Sequence, residues 1–347
     1  MAISPERRAL ATEAPLWAAY LPGEALPPPL IADPNLPLVS IVTPSYQQGA
    51  FIADTVASVL SQDYPNLEYW VVDGGSRDET LTELERFRHD PRLHLISERD
   101  RGQSDAINKG WARCRGQILA WLNSDDTYLP GAIRAQVTAL MQAPEAGAVY
   151  GDACYTTADG RPLERISSYP FSPAAVLSLR IPIQPTVFLR RTLVAAIGPL
   201  NLERHYSMDT DYWARAISVA PWVWNRDLIA TYRLHTNSKS VAQFRGFYAD
   251  WITIAEHYYR RGAPTPARQR ERAMVLADIY AAMANLEVRS GRRSDALRYS
   301  AYALLLAGLR PRMLKLPFAL LDRHLPLNLA AQATALWGYA RRRLRKP

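Results

Sequence analysis

At 347 residues, with 48% hydrophobic and 21% charged side chains, the chain can bury one large core plus an appendage, or build two domains. Its net charge of +8 is uneven: from Arg260 onward there are 18 Lys and Arg against 5 acids, and the rest carries 23 against 28. The two cysteines, Cys114 and Cys154, lack metal-ligand spacing and fit a reduced, intracellular setting, a single disulfide being the alternative, and no apolar window of about 18 residues predicts a membrane span.

Residues 1–36 are Pro-rich (LPGEALPPPL) and read as an extended lead-in; MAISPERRALATEAPLW has no long apolar core, so no signal peptide is expected. PLVSIVTPSY reads as a strand ending at Pro44, FIADTVASVLSQ has helical spacing, and LEYWVVDGGS is a buried strand stopped by Gly74 and Gly75. DETLTELERF predicts a helix with an acidic first turn, RLHLIS a short strand and SDAINKGWARC a helix. ILAWLNSDD is the next strand, its continuous apolar run fitting burial on both faces, and PGAIRAQVTALM is a helix with Pro130 at its start. This alternation predicts an α/β fold, a Rossmann-like and mostly parallel sheet with helices on both faces and right-handed crossovers. IQPTVFLRR and WVWNRDLIATYRLH then read as strands flanking a helix around DTDYWARAISV. From Gln243 the pattern is helical, broken at Gly262, Gly291, Pro311, Pro317 and Pro326, and ERAMVLADIYAAMANLEVRSGRRSDALRYSAYALLLAG resembles one tetratricopeptide-like helix pair. The expected organisation is a lead-in over 1–36, a sheet-bearing domain over 37–242 and an all-α, basic region over 243–347.

In an open α/β sheet, ligands bind at the carboxyl ends of the strands. Three such ends are polar here: Thr43-Pro44-Ser45-Tyr46, Asp73-Gly74-Gly75-Ser76 and Asn123-Ser124-Asp125-Asp126. Neither G-x-G-x-x-G after the first strand nor G-x-x-x-x-G-K-[ST] occurs, so phosphates must be held in another way. Carboxylates with a divalent metal would hold them, because hard cations take oxygen ligands and bridge phosphate oxygens. Adjacent Asp125 and Asp126 repel each other and call for a positive partner, a metal ion in that reading; the alternative is a helix cap at the turn before Pro130. The basic tail carries no recognisable nucleic-acid motif, so no nucleic-acid partner is expected.

The stretch PLVSIVTPSYQQGAFIADTVASVLSQDYPNLEYWVVDGGSRDET closely resembles the N-terminal half of glycosyltransferase family 2. ERDRGQSDAINKGWARCRGQILAWLNSDD and the blocks IPIQPTVFLRR, YSMDTDYWARA and YRLH continue the likeness over roughly 36–240. The resemblance implies the A-type glycosyltransferase fold and an inverting transfer of a sugar from a nucleoside-diphosphate donor to an acceptor hydroxyl, with Mg²⁺ or Mn²⁺.

On that resemblance Thr43, Pro44 and Tyr46 lie against the nucleoside, Asp73 meets the base (typically the imide of uracil or thymine), and Arg101, Asp105 and Lys109 lie near the nucleotide and diphosphate. Asp105 and Lys109 are four apart on a helix, so a plain ion pair is the alternative. NSDD corresponds to the metal-binding D-x-D region with Asn123 in place of its first acid, leaving the metal to Asp125 or Asp126, with Ser124 and Asp125 on the donor side. Asp209 in YSMDTDYW takes the place of the acceptor-side base, Met208 stands where relatives have Glu, and Asp211 points elsewhere on the helix. His235 in YRLH falls where some relatives have a histidine reaching the metal or diphosphate, a structural histidine being the alternative, and Gln184 is a weaker candidate for either substrate. UDP- or dTDP-sugars are the expected donors, with a saccharide or lipid-linked saccharide as acceptor in bacterial surface polysaccharide or glycoconjugate synthesis. A nucleotidyltransferase and a non-catalytic nucleotide-sugar-binding protein are the competing readings. LPLNLAAQATALWGYARRRLRKP pairs apolar residues with a cationic end, which suits an anionic lipid surface; a helical cap on the catalytic domain is the alternative. The expected location is cytoplasmic, with the inner face of the plasma membrane as the surface for that tail.

Overall fold

The computed structural model describes residues 26–235 and 244–307, and the chain divides into two compact units between Ile254 and Ala255. The basic end of the tail, most of the lead-in and Pro311, Pro317 and Pro326 lie outside the described residues.

Four parallel strands form one half of the sheet in the order β3-β2-β1-β4: β1 Val39–Ser45, β2 Leu67–Asp73, β3 Leu93–Ser97 and β4 Ile118–Trp121. Helices α1 Ile52–Leu60, α2 Thr80–Glu85 and α3 Gln103–Trp111 alternate with them, as the two periodicities of the sequence predict. The continuous apolar runs have the expected cause, since every residue of β1 and β4 is buried. Their side chains still alternate. Ile118, Ala120 and Leu122 join a core with Ile41, Ile52 and Val71, while Trp121 points into an aromatic layer with Trp111 and Trp213. Helix α3 lies very close to β1, and a Cβ on Gly110 would fall 2.6 Å from Val42 Cγ1.

β1 runs one residue past its expected end at Pro44. Its pairing with β4 stops at Val42, opposite Trp121, so the proline sits where no ladder bond to β4 is lost.

The second half is mixed rather than parallel. β5 Thr127–Tyr128, α4 Ala132–Gln142, β6 Ala148–Thr156, β7 Pro162–Ile166, α5 Pro173–Leu177, β8 Phe188–Arg190, α6 Arg191–Ile197, α7 Met208–Ala216 and β9 Trp222–Arg233 follow in order. The sheet continues β4-β8-β6-β9-β5, with β8 antiparallel to both neighbours, β9 parallel to β6, and β7 hairpinned onto β6. The strand expected over IQPTVFLRR splits into a 3-10 turn, Gln184–Thr186, and the three residues of β8. Pro130 lies outside α4, whose N-cap is Gly131 in the left-handed region at φ +78°.

Helix α8 Phe247–Arg260 crosses the division between the units. In the second unit Thr265 caps α9 Pro266–Arg289, its hydroxyl accepting from Arg268 N at 3.2 Å with Pro266 in the first turn. Helix α10 Arg293–Ala307 packs on α9 along a seam of Ala277, Ala284 and Ala303. Among the described residues no helix is long and apolar enough to cross a membrane, and both cysteines are buried thiols without a disulfide.

Candidate active site

The ends of β1 and β2 lie side by side, with Ser45 opposite Asp73. Thr43 is buried and its hydroxyl meets the Tyr69 hydroxyl at 2.9 Å; Pro44 is buried too, so Tyr46, 59% exposed, is the member of this group that faces outward. Asp73 is fully buried. Its Oδ2 accepts from Gly75 N (3.0 Å), Ser76 N (2.9 Å) and Ser97 Oγ (2.7 Å), and its Oδ1 accepts from Ser76 Oγ. Four donors of its own fold therefore occupy the carboxylate expected to meet the base. The sequence reading passed over Asp100, whose half-buried carboxyl lies against Gly74; a Cβ there would come within 2.8 Å of Asp100 Oδ2. Burial pushes the Asp100 carboxyl above its ordinary value.

At the start of α3 the expected diphosphate residues form a charge cluster. Asp105 accepts from Arg101 N at 3.1 Å and from its guanidinium at 3.3 Å, and Lys109 Nζ lies 3.8 Å from Asp105 and 2.9 Å from Glu98. Burial works against ionisation of Asp105, yet its hydrogen bonds from Arg101 hold the carboxyl below the ordinary value. Lys109 thus pairs chiefly with Glu98, and the i,i+4 pair with Asp105 that spacing allowed is the longer contact. The Arg101 side chain is 74% exposed.

The turn after β4 separates its two acids. Asp126 is 2% exposed: its Oδ1 accepts Arg233 N at 3.0 Å, and its Oδ2 takes a long contact of 3.4 Å from Asn123 Nδ2. Burial, then repulsion from Asp125, pushes its carboxyl well above the ordinary range. It pins the end of β9 rather than capping α4. Asp125, one-fifth exposed, meets His235 Nε2 through Oδ2 at 3.0 Å. Asn123 accepts from Gln103 Nε2 at 2.7 Å while its amide faces Asp126, a pairing a second carboxylate would turn into repulsion. Ser124 is buried.

Helix α7 carries the remaining acidic residues, Asp209 and Asp211. Asp209, in its first turn and half-buried, accepts from Thr210 N at 2.7 Å; burial raises its carboxyl above the ordinary value despite that bond. Asp211 turns away to pair with Arg215 at 3.1 Å. Met208 Sδ takes the Ser104 hydroxyl at 3.1 Å, so neighbouring residues of α3, Gln103 and Ser104, touch Asn123 and the start of α7. That bridge brings the two acidic blocks to one edge. Asp250 in the first turn of α8 braces the same place, accepting Ser207 N at 3.2 Å and pairing with Arg204 at 3.2 Å. Gln184 is buried with Nε2 on Trp121 O at 2.9 Å. Phe51, whose ring lies beside His235, and Arg233, which stands over the Phe51 ring, had no signal of their own in the sequence.

Among the described residues no group of three or more His, Cys, Asp or Glu could hold a metal unaided. Asp125 and His235 do fit a cation that arrives with phosphates. The pair shares a direct hydrogen bond of 3.0 Å; adjacent octahedral ligands at about 2.1 Å also stand about 3 Å apart, and Mg²⁺ is usually bound by one or two carboxylates plus substrate phosphates.

A family model described as glycosyl transferase family 2 matches residues 40–191. The putative teichuronic acid biosynthesis glycosyltransferase TuaG of Bacillus subtilis is 30% identical over 225 residues, 63% of this chain and 88% of that protein. An uncharacterized glycosyltransferase of Rickettsia felis is 27% identical over 214 residues; the match takes in 59% of this chain but only 35% of that longer protein, and two further Rickettsia relatives are covered to a similar third. Among solved structures, S. aureus TarS 1–349 in complex with UDP-GlcNAc superposes with a TM-score of 0.60 at 16% identity, over 82% of this chain and 88% of that one. The mannosyltransferase PcManGT from Pyrobaculum calidifontis, in complex with GDP-Man and Mn²⁺, gives 0.51 at 21% identity, over 90% and 88%. These likenesses carry the A-type glycosyltransferase fold, and the sequence match carries the family: the chain belongs to glycosyl transferase family 2.

Proposed function

We propose that the protein transfers a sugar, with inversion, from a nucleoside-diphosphate donor to a hydroxyl of a surface saccharide. The observation that carries this reading is the meeting of Asp125 and His235, 3.0 Å apart, at the edge where β1 and β2 also end. Asp125 and His235 would hold a Mg²⁺ or Mn²⁺ ion, which supplies charge neutralisation on the leaving diphosphate when bound. Tyr46 lies beside the nucleoside, with Thr43 and Pro44 as its buried support, and the exposed guanidinium of Arg101 meets the diphosphate. Asp105 and Lys109 hold the start of α3 in place. Asp209 takes the proton from the acceptor hydroxyl as that oxygen attacks the anomeric carbon opposite the diphosphate. A turnover screen across UDP-, dTDP- and GDP-sugars with Mg²⁺ or Mn²⁺ tests the reading, and sugar-independent or absent turnover with all of them would overturn it.

Asp73 acts by shaping the base pocket. Asp73→Ala removes the acceptor for two backbone N–H groups and two hydroxyls, so the Gly75-Ser76 turn loosens and donor affinity falls about tenfold or more. Calorimetry with the matching nucleoside diphosphate checks this; equal affinity before and after would remove Asp73 from the pocket.

A lipid-linked acceptor accords with a surface polysaccharide product, such as the name of the Bacillus relative suggests, and with the five cations at 341–346. Each exposed cation near an anionic leaflet contributes about 1 kcal/mol, enough together to hold the protein loosely at the membrane. Co-sedimentation with anionic vesicles should retain the full chain and release one ending at Arg323. Equal retention of both would end the membrane role.

A further inference from the structure

We infer that Phe51 is a positioning residue that sets the His235 imidazole against Asp125, an inference that rests on the proposed role of that pair. Phe51 precedes α1 and is half-buried, and its ring centroid lies 4.7 Å from that of His235 at a tilt of 44°. The Arg233 guanidinium stands 4.9 Å from the same ring centroid, within cation–π range. Arg233 is itself fixed in three directions: to Asp54 Oδ2 at 3.0 Å, to Ala158 O at 3.0 Å, and through its backbone N to Asp126 at 3.0 Å. Thr55 Oγ1 adds a bond of 2.8 Å to Asp126 O. One helical turn, carrying Phe51, Asp54 and Thr55, therefore grips both the end of β9 and the turn that bears Asp125.

This arrangement meets a specific need. A histidine can present Nε2 to a carboxylate or cation only if its ring plane is held, and groups behind a metal-binding imidazole commonly set its affinity. His235 stands two residues beyond the end of β9, just past the bond from Leu234 N to Thr156 O at 2.8 Å, so the ladder sets where the residue sits but not how its ring turns. The aromatic wall of Phe51 restricts the ring's rotamers, and Arg233 in turn holds the Phe51 ring through its attraction to the π face. A side chain that merely filled space would serve packing but would not orient the imidazole.

The test separates orientation from packing. Phe51→Leu, Phe51→Met and Phe51→Tyr are titrated by calorimetry with UDP, dTDP and GDP, using whichever binds wild type most tightly, with and without Mn²⁺; Asp125→Asn serves as control. Leu and Met should lower the affinity gained from Mn²⁺ about tenfold, the low end for groups behind a ligand, and leave metal-free binding unchanged. Tyr, which keeps the ring, should stay close to wild type. An undiminished Mn²⁺ gain in Phe51→Leu or Phe51→Met, with Asp125→Asn impaired, overturns the inference alone. Equal losses with and without Mn²⁺, or a matching loss in Phe51→Tyr, assign Phe51 to packing. An Asp125→Asn variant with its full Mn²⁺ gain, or a wild type with none, overturns the metal reading and this inference with it.

Discussion

Asp209→Asn should lower turnover by about two to four powers of ten, about 3 to 5 kcal/mol of barrier, while the fold and donor affinity survive. The amide keeps an oxygen able to accept Thr210 N, the 2.7 Å bond that orients the side chain, so the geometry of α7 is preserved. Only the ability to take a proton is lost. Linkage gives the direction of the stability change. Burial raises the Asp209 carboxyl, so the folded state favours its protonated form, and stability declines as pH rises from the ordinary carboxylate value through the raised one. A neutral amide has no such decline, and the variant should be no less stable than wild type at neutral pH. The same shift sets the rate profile: the acidic limb of kcat/KM should lie above the ordinary aspartate value of about 3.9 and vanish in Asp209→Asn. An unchanged rate would show that the proton goes elsewhere. Asp211 is a poor substitute, because Arg215 already engages it.

Much of the parallel half of the fold can be read in the chain, for a physical reason. Strands covered on both faces are mostly apolar, with Ser40, Thr43 and Glu68 the buried exceptions, so the points where β1, β2 and β4 turn polar mark the strand ends at which open α/β sheets bind ligands. The parallel half was legible for that reason. The mixed half was not: β5 has two residues and β8 has three, too few for any period to register, and their pairing with β9, β4 and β6 is decided by tertiary contact. Within the site, sequence could nominate Asp73, Asp125 and Asp126 but could not say which carboxylates the fold would consume. Asp73 is consumed by its own turn and by Ser97 at the end of β3, and Asp126 by a strand 107 positions away in the sequence. Phe51 illustrates the same limit, since its partners Arg233 and His235 come from the far end of the domain and no local pattern announces them. Asn123 is the converse case. In sequence it is a departure from the family's first acid, whereas in the fold it joins Gln103 to the buried Asp126.

That division between the two acids leads to the second large effect. Asp125→Asn should abolish the gain in activity from Mg²⁺ or Mn²⁺, with a loss of at least about a hundredfold, since removing a direct ligand should exceed the 10- to 100-fold cost of removing a group behind one. Asp125 is the acid with room to act: one-fifth exposed, and bound through Oδ2 to His235 rather than spent on backbone. Asp126 is 2% exposed and holds Arg233 N, so Asp126→Ala should act mainly on stability. It leaves a buried N–H without its acceptor, a cost of about 1–3 kcal/mol, and releases the end of β9. The two variants are told apart by raising the metal concentration. Excess Mn²⁺ should recover part of the rate in Asp126→Ala, whose Asp125 and His235 remain, and little in Asp125→Asn. Full activity of the wild type in excess chelator would remove the cation from the reaction altogether. Recovery in Asp125→Asn but not in Asp126→Ala would give the metal to the buried acid, and would require the Arg233–Asp126 bond to open during turnover.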